Sequence, residues 1–559
     1  MFKRALLIVL LGTFLFSCAP KRNADVCYTI APAMVDSIPQ LQITMRLKAD
    51  PSGTTSLSFP NEAWGETDLY HTLGEMQLLN VEGVVEKDTD SSRIILVYPK
   101  DTKELEFQYY LKQDIEGDIS TRNVYRPVIN NTYFHVFSHN MFMLPEHSED
   151  HISIGMDWSE FPETYTIHNS FGSGERKQLL KDMDKEKFGS AIFVGGDFRV
   201  LEGEINGNKI SLATRGDWVP FKEEDVFKVL EQTLTYQRNF WDDHSQTYFT
   251  VTMQPFPQEM GSSFQGTGLT NSFATTVSNN DMTDIEQMVY LFNHELMHNW
   301  IGHTITTANE EEQYWFSEGF TEYYTFKNIA KNHINGLGSD FFINEINRTI
   351  RDLYGSPVMT APNAEINYDN FWTNPDYSKL PYWRGALFAF YLDQTLQKNS
   401  KGKQSLDDVM HQIYADATKG QKVDHAYFIQ VMEPFWKGDF EAFFQKHIVD
   451  GVPLDLYGLF DELGWEYSPM NDIYQLGFEF TEDRKAIKNV VEGSAAWEAG
   501  LKVGDSVFSR SIWQGSIDHQ VELGVLRNGE KMEFAYYPVT KAEVPQIKPT
   551  PTNGAELGF

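Results

Sequence analysis

Cysteine is nearly absent from this chain: Cys18 and Cys27 are the only two in 559 residues. No disulfide framework can rest on them, so the fold must be held by its hydrophobic cores. Basic residues are also scarce, 46 Lys and Arg against 79 Asp and Glu, giving a net charge of -33. Such a surface repels phosphate backbones and excludes nucleic acid as a partner. It favours solubility and would attract cationic peptides. After residue 16 no apolar run is long enough to cross a bilayer. No fixed period announces a solenoid. The chain is too long for one core, and three or four domains are expected.

The start is different in character. Met1-Phe2-Lys3-Arg4 leads into an apolar run over 5–16 and then Leu15-Phe16-Ser17-Cys18, the parts of a secretory signal. Cys after Leu-x-Ser resembles the bacterial lipoprotein signal. That resemblance implies acylation at Cys18, a lipid tether to a membrane, and a place in the bacterial cell envelope, periplasmic or surface. Cys27 is then left without a partner for a disulfide.

The chemistry is concentrated in His294-Glu295-Leu296-Met297-His298. Two histidines four apart stack on one helix face, so both imidazoles can reach one metal. A third ligand from a following helix would leave one tetrahedral position for water, as in catalytic rather than structural zinc sites. Glu295, beside the first ligand, can then take a proton from that water. Histidine is uncommon, 15 in 559, and Thr283-Asp284-Ile285-Glu286 reads as a capping box opening a helix that runs to about residue 301 without Pro or Gly. His303 does not fit the longer zinc motif and reads as a helix-end or loop residue.

Three segments together resemble the gluzincin metallopeptidases, specifically the aminopeptidase N family and the glycyl aminopeptidase family that carries a PDZ domain. They are His294-Glu295-x-x-His298-x-Trp300-x-Gly302, Trp315-Phe316-Ser317-Glu318-Gly319-Phe320 and Tyr377-Ser378-Lys379-Leu380-Pro381-Tyr382-Trp383-Arg384-Gly385. The resemblance implies one Zn2+ per chain with Glu318 as third ligand beside His294 and His298. It implies a Tyr382 hydroxyl that steadies the tetrahedral oxyanion, with Arg384 standing where Lys is usual. The loop between His298 and Glu318 is one residue longer than usual, which the stretch 309–312 can absorb. Glu322, one turn past Glu318, faces the same way and can hydrogen-bond a ligating histidine.

One departure bears on specificity. Where these families place a carboxylate that holds the substrate's free amine, this chain has Gly266-Thr267-Gly268-Leu269-Thr270-Asn271-Ser272. Glu259 lies upstream and reads as a surface charge. The segment 261–272, with Gly268, Leu269, Thr270 and Asn271 at its centre, is expected to line the cleft and pair with substrate backbone as an added strand. Peptides are the expected substrates. Two alternatives stay open: an endopeptidase of the same clan, and an inactive peptide-binding lipoprotein.

Near the other end, Leu476-Gly477-Phe478 and the stretch Gly493-Ser494-Ala495-Ala496-Trp497-Glu498-Ala499-Gly500-Leu501-Lys502-Val503-Gly504-Asp505 resemble a bacterial PDZ domain. The stretch 523–538, turning at Arg527-Asn528-Gly529-Glu530, reads as its closing hairpin. Such a domain takes an extended peptide or protein tail at a sheet edge. The expected organisation is multidomain α+β: signal 1–18, N-terminal β-rich domain 19–215, thermolysin-like catalytic domain 216–335, helical domain 336–465, PDZ domain 466–540, and a flexible tail 541–559.

Overall fold

The computed structural model describes residues 24–550 and Leu557, apart from 91, 118, 120–122, 259 and 260. The signal, Cys18 and Glu259 lie outside the described residues. Contacts divide the chain into two units, one comprising 1–227 and 244–285, the other 228–243 and 286–559. No helix among the described residues is long and apolar enough to cross a membrane.

The first unit is β-rich, as its short alternating stretches predict. Its largest sheet has six strands in the spatial order 177–184, 151–157, 26–35, 38–48, 104–112, 73–78. Ile38–Lys48 shows why: Leu41, Ile43, Met45 and Leu47 alternate into the core while Gln42, Thr44 and Arg46 between them stay partly exposed, the period-2 pattern of a half-buried strand. A five-stranded sheet closes the unit: β1 Arg199–Ile205, β2 Asn208–Thr214, β3 Tyr248–Phe256, β5 Ser272–Ser278 and, outermost, β4 Phe264–Leu269. β2 runs parallel to β3, with Lys209 opposite Tyr248. The boundary expected at 215/216 therefore cuts through one sheet. Strands before it and after it share a ladder, and hydrogen bonding rather than the chain interval defines the layer.

The second unit is helical. α1 Glu223–Trp241 contributes from residue 228 onward, followed by α2 Ile285–Met297, α3 Glu310–Ser317, α4 Gly319–Lys331, α5 Ser339–Gly355 and α6 Pro375–Ser400. α4 is buried from Gly319 to Ala330, so it is the central helix around which the others pack. Trp315 is fully buried and meets Phe388, Phe428 and Phe444 edge-on at ring distances of 5.9, 5.0 and 5.2 Å. Aromatic residues, 14% of the chain, thus fill this core at the quadrupole-favoured geometry.

Helix ends follow their caps. α6 begins at Pro375, because Asn374 caps it by accepting from the Asp376 N–H at 3.0 Å, and Pro suits the first helical position. Pro381, which suggests a helix start, lies inside α6. α2 starts at Ile285, since the Thr283 hydroxyl is engaged by Ser278 at 2.7 Å. It stops at Met297 rather than near 301, where Gly302 adopts a φ of +126°. The stretch 440–447 forms the helix Phe440–Phe444 and then a π turn, Gln445–Val449.

The C-terminal residues are also reassigned. β6 Tyr467–Tyr474 pairs antiparallel with β7 Val539–Ile547, so 541–547 are strand rather than flexible tail. Asn347 of α5 binds Ile547 through both its amide atoms, each at 2.8 Å, and Val544 and Ile547 enter the helical core. Between these strands sits a small module with its own core, including Phe478, Ile487, Leu501 and Val525. Its expected hairpin forms with Arg527 opposite Glu530 and positive φ at Asn528 and Gly529, the signature of a tight primed turn.

Candidate metal centre

His294 lies in the last turn of α2 and His298 is the first residue past its end, yet the chain continues in helical turns: Ile301 N–H bonds Met297 O at 3.0 Å and His303 N–H bonds His298 O at 3.1 Å. The two imidazoles therefore keep the shared face that the four-residue spacing dictates. Their ring centroids are 5.1 Å apart. Glu318 occupies the junction where α3 gives way to α4. One Glu318 oxygen stands 3.5 Å from His294 Nε2 and 3.7 Å from His298 Nε2. The three ligand atoms of this trio lie within 4.8 Å of one another.

Hydrogen bonds on the far side of each ring decide what faces inward. His294 Nδ1 meets Glu322 Oε2 at 3.1 Å, and His298 Nδ1 meets the Ile301 carbonyl at 2.9 Å. Both partners are acceptors, so each Nδ1 carries the hydrogen and each Nε2 presents a lone pair. Glu318 Oε2 is buried with no hydrogen-bond partner. Three electron pairs converging on one point repel unless a cation lies between them, and two imidazoles with a carboxylate are a zinc-type donor set.

Without a metal the surrounding carboxylates draw positive charge to this point as a proton on His294, which a bound cation would displace. Burial opposes charge on His294, but Glu318, Glu322 and Glu295 outweigh it and push its pKa up to about 10. Burial would raise Glu318, yet His298 and His294 pull it down to about 2. The centre is thus an enclosed negative potential that favours a cation. Glu322 is held by the Tyr290 hydroxyl at 2.7 Å, and despite burial its pKa is lowered by His294. Replacing Glu322 with Ala is expected to weaken zinc binding about 10–100-fold, read by competition with a chromogenic chelator. Affinity equal to the parent would mean that Glu322 does not orient His294.

Tyr382, on α6, lies with its ring nearly parallel to His294 at 5.9 Å, and its hydroxyl reaches the Glu318 carboxylate. Burial first, then Glu318, hold that hydroxyl far above its ordinary pKa, so it remains a hydrogen-bond donor. Lys379 sits over the same ring at 4.6 Å. The approach of α6 is set by two glycines: a Cβ on Gly385 would lie 1.9 Å from Trp315 O, and one on Gly319 would lie 2.4 Å from Gly385 Cα. Glu318 and Tyr382 each stand within a turn of that contact.

His303 is an exposed turn residue and is not part of the trio. Of the four residues expected to pair with substrate, Gly268 and Leu269 end the outer strand β4. Thr270 and Asn271 form the hairpin turn, with Thr270 N–H bonded to Ser190 O at 2.8 Å and Asn271 O accepting from Thr250 N–H at 3.0 Å. Those bonds commit the Thr270 N–H and the Asn271 carbonyl to the fold itself. Sequence reasoning also missed Asn293. This buried amide donates to Thr233 Oγ1 at 3.0 Å and accepts from Asn328 at 2.7 Å, tying α2 to α1 and α4. A polar residue within the apolar run Leu291-Phe292-Asn293 was the available signal.

Comparisons with known proteins place this geometry. Residues 228–444 match the peptidase family M1 domain. Leucine aminopeptidase 2 of Aspergillus terreus is 27% identical over 191 residues, 32% of this chain and 28% of that protein. Leucine aminopeptidase 2-2 of Meyerozyma guilliermondii is 28% identical over 217 residues, 35% of this chain and 32% of that protein. The matched region is thus less than a third of the length of these curated relatives. The crystal structure of an aminopeptidase N family protein from Idiomarina loihiensis has the same fold, with a TM-score of 0.69 over 95% of this chain and 99% of that one at 16% identity. The three convergent candidate ligands all lie inside the segment 228–444 that matches the peptidase family M1 domain.

Proposed function

We propose that this protein is a zinc-dependent, aminopeptidase-like metallopeptidase that hydrolyses peptide bonds through an activated water. The observation that carries this reading is the convergence of His294 Nε2, His298 Nε2 and Glu318 within 4.8 Å, with both Nδ1 atoms tied to acceptors. One zinc ion held there would acidify a water and polarise the scissile carbonyl. Glu295 accepts the proton from the attacking water and passes it to the departing amine. The Tyr382 hydroxyl donates to the carbonyl oxygen as negative charge grows on it. Glu322 holds His294 in the tautomer that this work requires.

The second reading, an endopeptidase, is favoured by one observation: strand β4 and its turn carry no carboxylate to receive a substrate's free amine. Peptides with free and with acetylated amino termini separate the two, given to the zinc-loaded full chain with a chelator control. Cleavage of free-ended peptides only, lost on chelation, is the expected result. Comparable cleavage of both assigns an endopeptidase, and chelator-resistant cleavage or none removes the metallopeptidase reading.

Two further parts of the proposal concern the ends of the chain. The module between β6 and β7 is read as a PDZ-like domain, supported by its Leu476-Gly477-Phe478 loop and its tight hairpin, and would receive a peptide or protein tail along a strand edge. Cys18 is read as the site of a lipid anchor in the bacterial cell envelope, supported by the residues that precede it.

A further inference from the structure

Two residues beyond Tyr382, a rotation of about 200° along α6, Arg384 points into a different part of the helical unit. It lines a small cleft together with Leu353, Tyr354, Met359, Phe388, His447 and residues of the loop that begins at Gly451. The residue is 5% exposed. Its Nη2 donates to Met359 O at 3.1 Å and Ala361 O at 2.6 Å. Its Nη1 is equally shielded from solvent and meets no acceptor. Among the described residues no charged group offsets the guanidinium: burial alone acts on it, pulling its pKa down to about 10.

A buried cation without a counter-charge is strongly unfavourable, and guanidinium N–H groups satisfy this need best with an anion. Water would meet the N–H but leave the charge uncompensated. The rest of the lining is apolar apart from Tyr354 and His447, and His447 Nδ1 is committed to the Val452 carbonyl at 2.8 Å. One free donor in an apolar cleft suits an anion with one or two acceptor points and a single charge, not a phosphate that demands several donors. The loop comes close from the other side, since a Cβ on Gly451 would lie 3.0 Å from Arg384 Nη2.

We infer that this cleft is a binding site for a small monovalent anion, a halide or a carboxylate, held by Arg384 Nη1 and enclosed by the loop 451–456. The inference is independent of the peptidase reading, because none of its residues belongs to the metal centre and its test needs no turnover.

The test starts from the full chain in gluconate, an anion too bulky for the cleft, and follows the melting temperature as chloride, bromide or acetate replaces gluconate at constant ionic strength. The expected result is a saturable rise of about 2 °C, absent in Arg384→Met. Because that variant removes a buried side chain and risks misfolding, Leu454→Trp serves as the second. Leu454 is partly exposed at the cleft wall, and the indole crowds the cleft while Arg384 stays in place, so the saturable rise should vanish here too. Crystals grown in bromide should show an anomalous peak beside Arg384 Nη1. A rise with acetate alone assigns a carboxylate, and one with chloride and bromide assigns a halide. An unsaturable response shared by the parent and Leu454→Trp, no response to any of the three anions, or a bromide map with no peak at Arg384 when bromide has raised the melting temperature, overturns the inference.

Discussion

Replacing Glu295 with Gln is expected to lower peptide turnover by roughly three orders of magnitude while zinc stays bound. Gln preserves the shape of the side chain and removes its capacity to accept a proton. Glu295 is not one of the three converging ligands, so the metal has no reason to leave. Its charge is nevertheless felt by both His294 and Tyr382, which places it beside the chemistry. A thousandfold loss corresponds to about 4 kcal/mol of transition-state stabilisation, within reach of one well-placed base. Steady-state kinetics and elemental analysis on the same preparation decide the matter. Turnover within tenfold of the parent at full zinc content would assign the proton transfer to another group.

The second large effect is expected from Gly385→Ala. In an ordinary helix interior this change is favourable by about 1 kcal/mol, because Ala has the better helix propensity. Here the new Cβ would lie 1.9 Å from Trp315 O and 2.8 Å from Gly319 Cα. These are backbone atoms that cannot rotate away, so α6 must withdraw from the α3–α4 junction. Overpacking of this kind costs about 1–3 kcal/mol and occasionally more, which outweighs the propensity gain and reverses its sign. Withdrawal also parts Tyr382 from Glu318, so activity should fall further than the folded fraction does. Urea denaturation and turnover below the transition provide the two readings. Stability above the parent would show that the helices separate freely and that the close approach does not position Tyr382.

The metal-binding trio was legible because its information is local. A four-residue spacing fixes two ligands on one face whatever the rest of the chain does, and Glu318 and Tyr382 came with short motifs that resemble known ones. What stayed hidden depends on partners far along the chain. The role of Asn293 requires Thr233 and Asn328, 60 and 35 residues away. Gly385 reads as a mere helix interruption until Trp315 is placed against it. Strand β5 is buried along its whole length, so it lacks the alternation by which half-buried strands announce themselves. The start of α6 is set by Asn374-Pro375, whose cap is satisfied, while Pro381 lies inside the helix.

The pairing of Tyr474 with Val539 has a consequence for how the C-terminal module is carried. The chain leaves the helical unit along one strand and returns along its neighbour, so the module is an insertion in a hairpin rather than a bead on the end. Entry and exit are adjacent, and a short turn could join them in its place. The final strand instead belongs to the scaffold, where Ile547 is clasped by Asn347. Lineages could therefore exchange or shed the module without reworking the peptidase, whereas a stop codon only a few residues before Ile547 would reach into the core itself.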